Sequence, residues 1–367
     1  MTEWYLIKNA DKVDSPALVI YPDRIQENIN LAIDIAGGSE RLRPHVKTCK
    51  IAEVCDLMIR SGINKFKCAT IAEAEMLGMS KAEDVLLAYQ PVGPKMQRFL
   101  SLIKSFPNTR FSCLADNKTS VLQLNDLCLS NQLHADIYID LNVGMNRTGV
   151  HPDEAIALIK TILSCTQLTL KGIHAYDGHI HDQDPALRME AGEKSFAIAE
   201  RVLFETRKLT PKPLHIIMGG TPTFPIHVGR KDTEYSPGTF VFWDWGYHKM
   251  LADLPFQYAA LVLCRVISVI DTNHVCLDLG HKAVAAENPL PRVYFLNAPD
   301  ATPVSQSEEH LVVRVENSKQ YPIGKLLYGV PVHICPTVAL YDKAYTIINN
   351  EYTALWRVIA RDRSINL

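Results

Sequence analysis

The sequence predicts an α/β protein, a (β/α)8 TIM-type barrel followed by a C-terminal all-β domain. Three observations carry this expectation. From about residue 16, short runs rich in Val, Ile and Phe alternate with longer stretches of helical periodicity, eight times over roughly 230 residues. After about residue 252, apolar runs recur without long helical segments between them. No GxGxxG follows the first strand and no GxxxxGK(S/T) occurs, which weakens the open dinucleotide-binding and P-loop sheets. Eight strand–helix units in one row suit a single closed barrel better than two open sheets.

In chain order, residues 1–15 contain Trp4-Tyr5-Leu6-Ile7 and are expected to pack with the β-domain. The barrel is expected over 16–251. Its strands fall at 42–47, 65–69, 84–89, 110–115, 136–142, 170–176, 214–220 and 234–242. Helices are expected at 22–36, 50–61, 71–79, 93–105, 116–130, 152–164 and 184–208. Asp116 before Asn117-Lys118-Thr119 and Pro152 before Asp153-Glu154 are helix-start signals. The β-domain, 252–367, shows runs at 259–270, 274–279, 292–296, 311–315, 326–339, 343–348 and 353–360. Asp271-Thr272-Asn273 and Asn349-Asn350 punctuate them as turns.

Composition narrows the class. At roughly 150 residues per domain, 367 residues make two to three domains. Hydrophobic residues at 47% and charged ones at 21% exclude disorder as the main state. A net charge of −2 gives no basic field, so neither nucleic acid nor an anionic membrane is an expected partner. No run approaches the ~18 apolar residues of a membrane span, and the first residues lack an apolar leader. Nine scattered cysteines without a CxxC argue against a disulfide framework. A cytoplasmic location is expected.

Candidate chemistry starts at Arg43-Pro44-His45-Val46-Lys47-Thr48-Cys49-Lys50. A lysine at the C-terminal end of a barrel strand points to the mouth, where such folds place their active sites. The tract Arg43, His45, Lys47 and Lys50 calls for an anion, and crowding by cations frees a lysine amine to attack a carbonyl. A phosphate-bearing aldehyde cofactor answers both demands. Gly219-Gly220-Thr221 and Ser236-Pro237-Gly238-Thr239 end the seventh and eighth strands in glycines whose amides can approach that phosphate. Asp140 to Gly149 places Arg147 at a strand-to-loop junction. His174-Ala175-Tyr176-Asp177-Gly178-His179-Ile180-His181 holds three histidines, with no acidic or Cys partner at recognisable metal spacing. His333-Ile334-Cys335, read as an extended strand, projects imidazole and thiol from one face. That is either an ion site or a core His beside a core Cys.

Through five motifs in the right order, essentially the whole chain resembles the fold-type III pyridoxal-phosphate enzymes of the D-threonine aldolase and D-serine dehydratase group. This group has an alanine-racemase-like barrel and a β-domain. The resemblance implies that Lys47 is the Schiff-base lysine and that Arg147 contacts the cofactor's phenolic oxygen. It implies that Tyr176 lies beside the pyridine ring, and that Gly220, Thr221, Gly238 and Thr239 bind the phosphate. It also implies a divalent metal on His333 and Cys335, with the soft Cys ligand favouring Zn2+ over Mn2+. Cys49 stands where the group often has His, and Val332 where it often has Asn. Roles for His179, His181, His281 and Lys282 stay open.

The expected function is therefore that of a pyridoxal-phosphate- and metal-dependent lyase cleaving D-β-hydroxy amino acids, of the D-threonine aldolase type and working as a homodimer. D-serine dehydratase is the second reading and an amino-acid racemase the third. A non-catalytic pyridoxal-phosphate carrier is the reading from another class. The metal ligands can come from the same chain or the partner.

Overall fold

The structure, a computed structural model, describes residues 3–367. The chain first forms β1 (Ala17–Ile20), then seven strands that pair in parallel in chain order. These are β2 (Lys65–Cys68), β3 (Asp84–Leu87), β4 (Arg110–Ala115), β5 (Ala135–Asp140), β6 (Leu168–Ala175), β7 (His215–Met218) and β8 (Thr233–Tyr235). The circle closes through the segment before Lys47. Leu42 bridges to Tyr235 on β8 and His45 to Lys67 on β2. Sequence reading expects a regular strand over 42–47; the pairing is confined to bridges because Pro44 has no N–H to give. Backbone bonds from Arg43 N to Tyr235 O (2.7 Å) and from Val46 N to Lys67 O (2.9 Å) hold the segment on both sides. The parallel barrel, with helices between its strands, is the expected architecture.

The helices between these strands start where the sequence signals them. Thr70 caps Ile71–Met79 by accepting from the Glu73 amide, and Pro152 opens Pro152–Ser164. One cap falls a residue later than its signal. Asn117 caps Lys118–Ser130, whereas Asp116 accepts instead from the Gly149 amide at 3.1 Å and so pins the loop that carries Arg147. Inside the barrel, Leu86, Leu114, Tyr138 and Ile217 form an apolar layer contributed by four strands. Arg43 lies in the same interior, 1% exposed, with Glu234 at 2.7 Å and Asp84 at 2.6 Å.

The second unit is β-rich. It contains the chain up to Ile29, the short stretch Thr48–Val54, and Thr239–Arg361. Its strands are β9 (Ala260–Val269), β10 (His274–Leu277), β11 (Val293–Phe295), β12 (Thr302–Gln306), β13 (Leu311–Arg314), β14 (Leu326–Pro331), β15 (Lys343–Ile348) and β16 (Glu351–Arg357). Here β1 finds its place, antiparallel to β9 and parallel to β15. With neighbours on both edges, all four of its residues are buried, as their wholly apolar sequence requires. The first strand of the stretch expected as barrel thus pairs within the β-rich sheet. Tyr5, Ile7, Ala10 and Val13 join Leu261, Leu263 and Tyr328 in one core.

Two β-domain expectations change. β12 was not anticipated; it is a mostly exposed strand containing Pro303 and offers little apolar alternation to read. The run 326–339 is not one strand. It breaks after Pro331 into a short helix, Ile334–Val338, with His333 at its N-terminal boundary. His333 and Cys335 therefore do not share the face of a strand. Asp244 accepts the Ile334 amide at 3.1 Å, satisfying one of the donors that a new helix leaves open.

Candidate active site

In the barrel unit, the C-terminal ends of the strands gather three cations around one aromatic ring. Lys47 Nζ lies 6.0 Å, Lys67 Nζ 5.1 Å and the Arg147 guanidinium carbon 5.4 Å from the centre of Tyr176. Lys47 and Tyr176 are half-buried and Arg147 is exposed at the rim. The acids nearby are already committed. Asp140, at the end of β5, lies 2.8 Å from His174 Nδ1, and Asp177 lies 2.8 Å from His227 Nε2. Burial lowers the His174 pKa, and its pairing with His174 outweighs burial to hold the Asp140 carboxyl below the usual range. The pair is thus a carboxylate and a neutral imidazole whose Nδ1–H donates. Among the described residues, these three basic groups face no acid that is not already paired with a histidine, which makes an anion site.

The two glycine loops stand beside this cluster. A Cβ on Gly220 would meet Tyr176 Cε2 at 3.3 Å, and the Gly238 amide donates to Thr221 Oγ1 at 3.1 Å. The Gly220 amide lies 3.4 Å from Asp177 Oδ1 and donates to it. Asp177 thus holds the first glycine loop, and Thr221 ties the second glycine loop to it. Lys47, Arg147, Tyr176, Gly220, Thr221 and Gly238 are brought into one region of the barrel unit.

The tract Arg43, His45, Lys47 and Lys50 does not act as one positive field. Arg43 is neutralised inside the barrel by Glu234 and Asp84, and the Lys50 amine reaches the Ala360 carbonyl at 3.4 Å. The unexpected member of the site is Lys67. Burial first, and then the charge of Lys47, lower its pKa to about 7. Its signal was available: Phe66-Lys67-Cys68 is a strand interrupted by a lysine one residue from its C-terminal end. Asp177 and His227 carried no such signal, since neither spacing nor periodicity links residues fifty apart.

Of the open histidines, His179 packs on the loop of Arg147, because a Cβ on Gly144 would fall 2.6 Å from its Nε2. Lys282 is a surface residue paired with Glu308 and Glu309. In the β-rich unit, His333 Nδ1 lies 2.6 Å from Glu287 Oε1. Cys335 Sγ lies 3.1 Å from Thr48 Oγ1 and 3.5 Å from Thr239 Oγ1. Partial burial acts to lower the His333 pKa, but Cys335 and Glu287 outweigh it and push it up to about 9. Among the described residues, no cluster of three or more His, Cys, Asp or Glu side chains forms a closed metal site.

Residues 20–244 match the family Alanine racemase, N-terminal domain. The chain belongs to this family. Residues 259–347 match the Putative serine dehydratase domain, so both expected modules follow one another in order. The chain is similar to D-threonine aldolase of Arthrobacter sp, 26% identical over 95% of this chain and 93% of that one. It is also similar to 3-hydroxy-D-aspartate aldolase of Paracoccus denitrificans, 25% identical over 96% and 93%. The fold is that of D-threonine aldolase from Filomicrobium marinum, at TM-score 0.89, 24% identity and 98% coverage of each chain. As a member of the lyase branch of this pyridoxal-phosphate family, the chain is an enzyme. Among the described residues, no helix is long and apolar enough to cross a membrane.

Proposed function

We propose that the chain is a pyridoxal-phosphate- and divalent-metal-dependent lyase of D-β-hydroxy amino acids, of the D-threonine aldolase type, converting D-threonine to glycine and acetaldehyde. The observation that carries the reading is the cation cluster at Tyr176. Lys47, Lys67 and Arg147 match in number the charges of a phosphate dianion and a phenolate. The donor set fits the cofactor: Lys47 would hold its carbonyl carbon, Arg147 its phenolic oxygen, and the Gly220-Thr221 and Gly238-Thr239 loops its phosphate. When bound, the cofactor supplies an electron sink for the carbanion left when a bond at Cα breaks.

The chain's own residues do the remaining work. Lys47 presents the nucleophilic amine, and Arg147 holds negative charge on the oxygen nearest to it. The Asp140–His174 pair carries its proton on Nδ1 and offers only a lone pair at Nε2, so it donates no proton into the barrel from that atom. For cleavage, the β-hydroxyl proton must leave, the Cα–Cβ bond breaks, and Cα takes a proton to give glycine.

His333 and Cys335 would hold the divalent ion, with Zn2+ favoured over Mn2+. Glu287 on Nδ1 fixes the ring so that Nε2 is left for the ion. An ion held by His333 and Cys335 would supply Lewis acidity toward the β-hydroxyl and would not be a closed structural zinc. Within the β-rich unit, the Thr48 and Thr239 hydroxyls lie at Cys335 Sγ. The working unit is proposed to be a homodimer.

D-serine dehydratase is the second reading, favoured by the Putative serine dehydratase match over 259–347. Product analysis decides between them. Purified enzyme with pyridoxal phosphate and Zn2+ or Mn2+ is given D-threonine or D-serine; glycine with acetaldehyde supports the aldolase, and an oxo acid with ammonia the dehydratase. Neither product from either substrate overturns both.

A further inference from the structure

Lys67 lies on β2 with its side chain inside the barrel, the whole residue 2% exposed. Its amine nitrogen is 2.6 Å from Ser236 Oγ and 3.5 Å from His174 Nε2. Because His174 carries its proton on the nitrogen facing Asp140, the Nε2 lone pair accepts from Lys67. Ser236 in turn donates its amide to Gly219 O at 2.9 Å, so the residue that Lys67 grips ties the loop after β8 to the loop after β7. A lysine buried at such a junction holds both glycine loops in register.

The charges facing Lys67 come from every side. Lys47 and Arg43, from the segment before β2, oppose its charge, while Asp140 from β5 and Asp177 from beyond β6 favour it. Arg147 shares the Tyr176 ring with it, and His174 is neutral. Both acids already serve a histidine, so what they give Lys67 does not offset burial and the neighbouring cations. The amine therefore loses its proton near neutrality, unusually early for a lysine.

We infer that Lys67 is a positioning residue for the cofactor and takes up one proton from solvent as the anionic cofactor enters, so that cofactor retention is coupled to pH. The inference rests on the pyridoxal-phosphate reading. An incoming phosphate dianion and phenolate add the negative charge this corner lacks, and the Lys67 ammonium becomes its favoured form. The sign follows from linkage. Where the bound form holds the proton and the free form does not, affinity falls as pH rises. Affinity is then at its full value below about pH 7 and weakens above it by up to about tenfold per pH unit.

Pyridoxine 5'-phosphate tests this, since it has the ring, phenol and phosphate but no aldehyde to react with Lys47. It is titrated into cofactor-free protein by calorimetry at pH 8, in two buffers of different ionisation heat. Wild type should take up a large fraction of a proton more than Lys67→Met. Between pH 7 and 9 its affinity should fall more steeply than that of Lys67→Met, while Lys67→Arg should bind at pH 8.5 without the extra uptake. Equal uptake and parallel pH profiles in wild type and Lys67→Met overturn the inference. Should Lys67→Met fail to fold, wild type alone decides: uptake no greater than the probe's own ionisations explain overturns it too. Wild type that binds neither this probe nor pyridoxal phosphate overturns the cofactor reading and the inference together.

Discussion

Arg43 Nε lies 2.7 Å from Glu234 Oε2 in the barrel interior, joining the segment before Lys47 to β8 where Pro44 denies them a regular ladder. Asp84 at 2.6 Å takes a second guanidinium nitrogen, and Lys65 at 2.6 Å takes the other Glu234 oxygen. An ion network thus reinforces the few backbone bonds that hold the closing seam. It also removes Arg43 from the charge that faces a ligand, which leaves Lys47, Lys67 and Arg147.

The seam should be visible in acid. Burial raises the Glu234 pKa, but Arg43 and Lys65 outweigh it and hold the carboxyl down to about 2. A depressed carboxyl stabilises the fold above its ordinary value near 4.5, and that stability is lost as pH falls from there through about 2. The difference is on the order of 3 kcal/mol. Glu234→Gln should destabilise the protein at pH 7 by about 3–5 kcal/mol, because it leaves a buried guanidinium short of a partner. It should also flatten the fall in stability below pH 4.5. Urea unfolding from pH 3 to 7 checks both, and parallel profiles for the two proteins would count against the seam.

Lys47→Ala should abolish turnover and the visible absorption of the bound cofactor while leaving the melting temperature within a few degrees. A half-buried nucleophile is being removed, and no core residue is lost. Retained turnover in this variant would sink the pyridoxal reading.

The barrel was legible because its evidence is local. Apolar runs such as Asp84–Leu87 and capped helices such as Ile71–Met79 write their own boundaries. β1 carries no such mark, since an apolar tetrapeptide does not say which sheet will bury both its faces. At the site, Lys47 and Arg147 stood in local motifs. Lys67, Ser236 and the Asp177–His227 pair matter through contacts across the barrel, between residues up to 169 positions apart. His333-Ile334-Cys335 was assigned the wrong geometry because periodicity cannot distinguish a strand from the first turn of a helix after Pro331.

Removing the metal should separate the two halves of the chemistry. Chelation is expected to eliminate activity on β-hydroxy substrates and to leave the cofactor's visible band intact, because His333 and Cys335 are not among the groups assigned to the cofactor. His333→Ala should reproduce this, with at least about a 10–100-fold loss that added Zn2+ or Mn2+ does not restore. Glu287→Gln should weaken metal affinity more gently, since only the support of the His333 ring is lost. A chelated enzyme that cleaves D-threonine at its original rate would leave His333 and Cys335 as structural residues.

The proposed homodimer can be tested through the same two residues. Lys47 belongs to the barrel unit and His333 to the β-rich unit, so the nucleophile and the metal ligands need not come from one chain. In the alanine-racemase-like family, the resemblance implies a barrel mouth closed by the other chain's β-domain. A two-fold arrangement of that kind completes both sites at once. Mixing Lys47→Ala chains with His333→Ala chains separates the cases. If the metal comes from the partner, each heterodimer has one site with both residues intact, and about a quarter of wild-type activity should return on random mixing. If each chain supplies its own metal, every site in the heterodimer lacks one residue and none should return. Heterodimers confirmed by native mass spectrometry but inactive would assign the metal to the same chain, and a protein that stays monomeric while active would remove the dimer altogether.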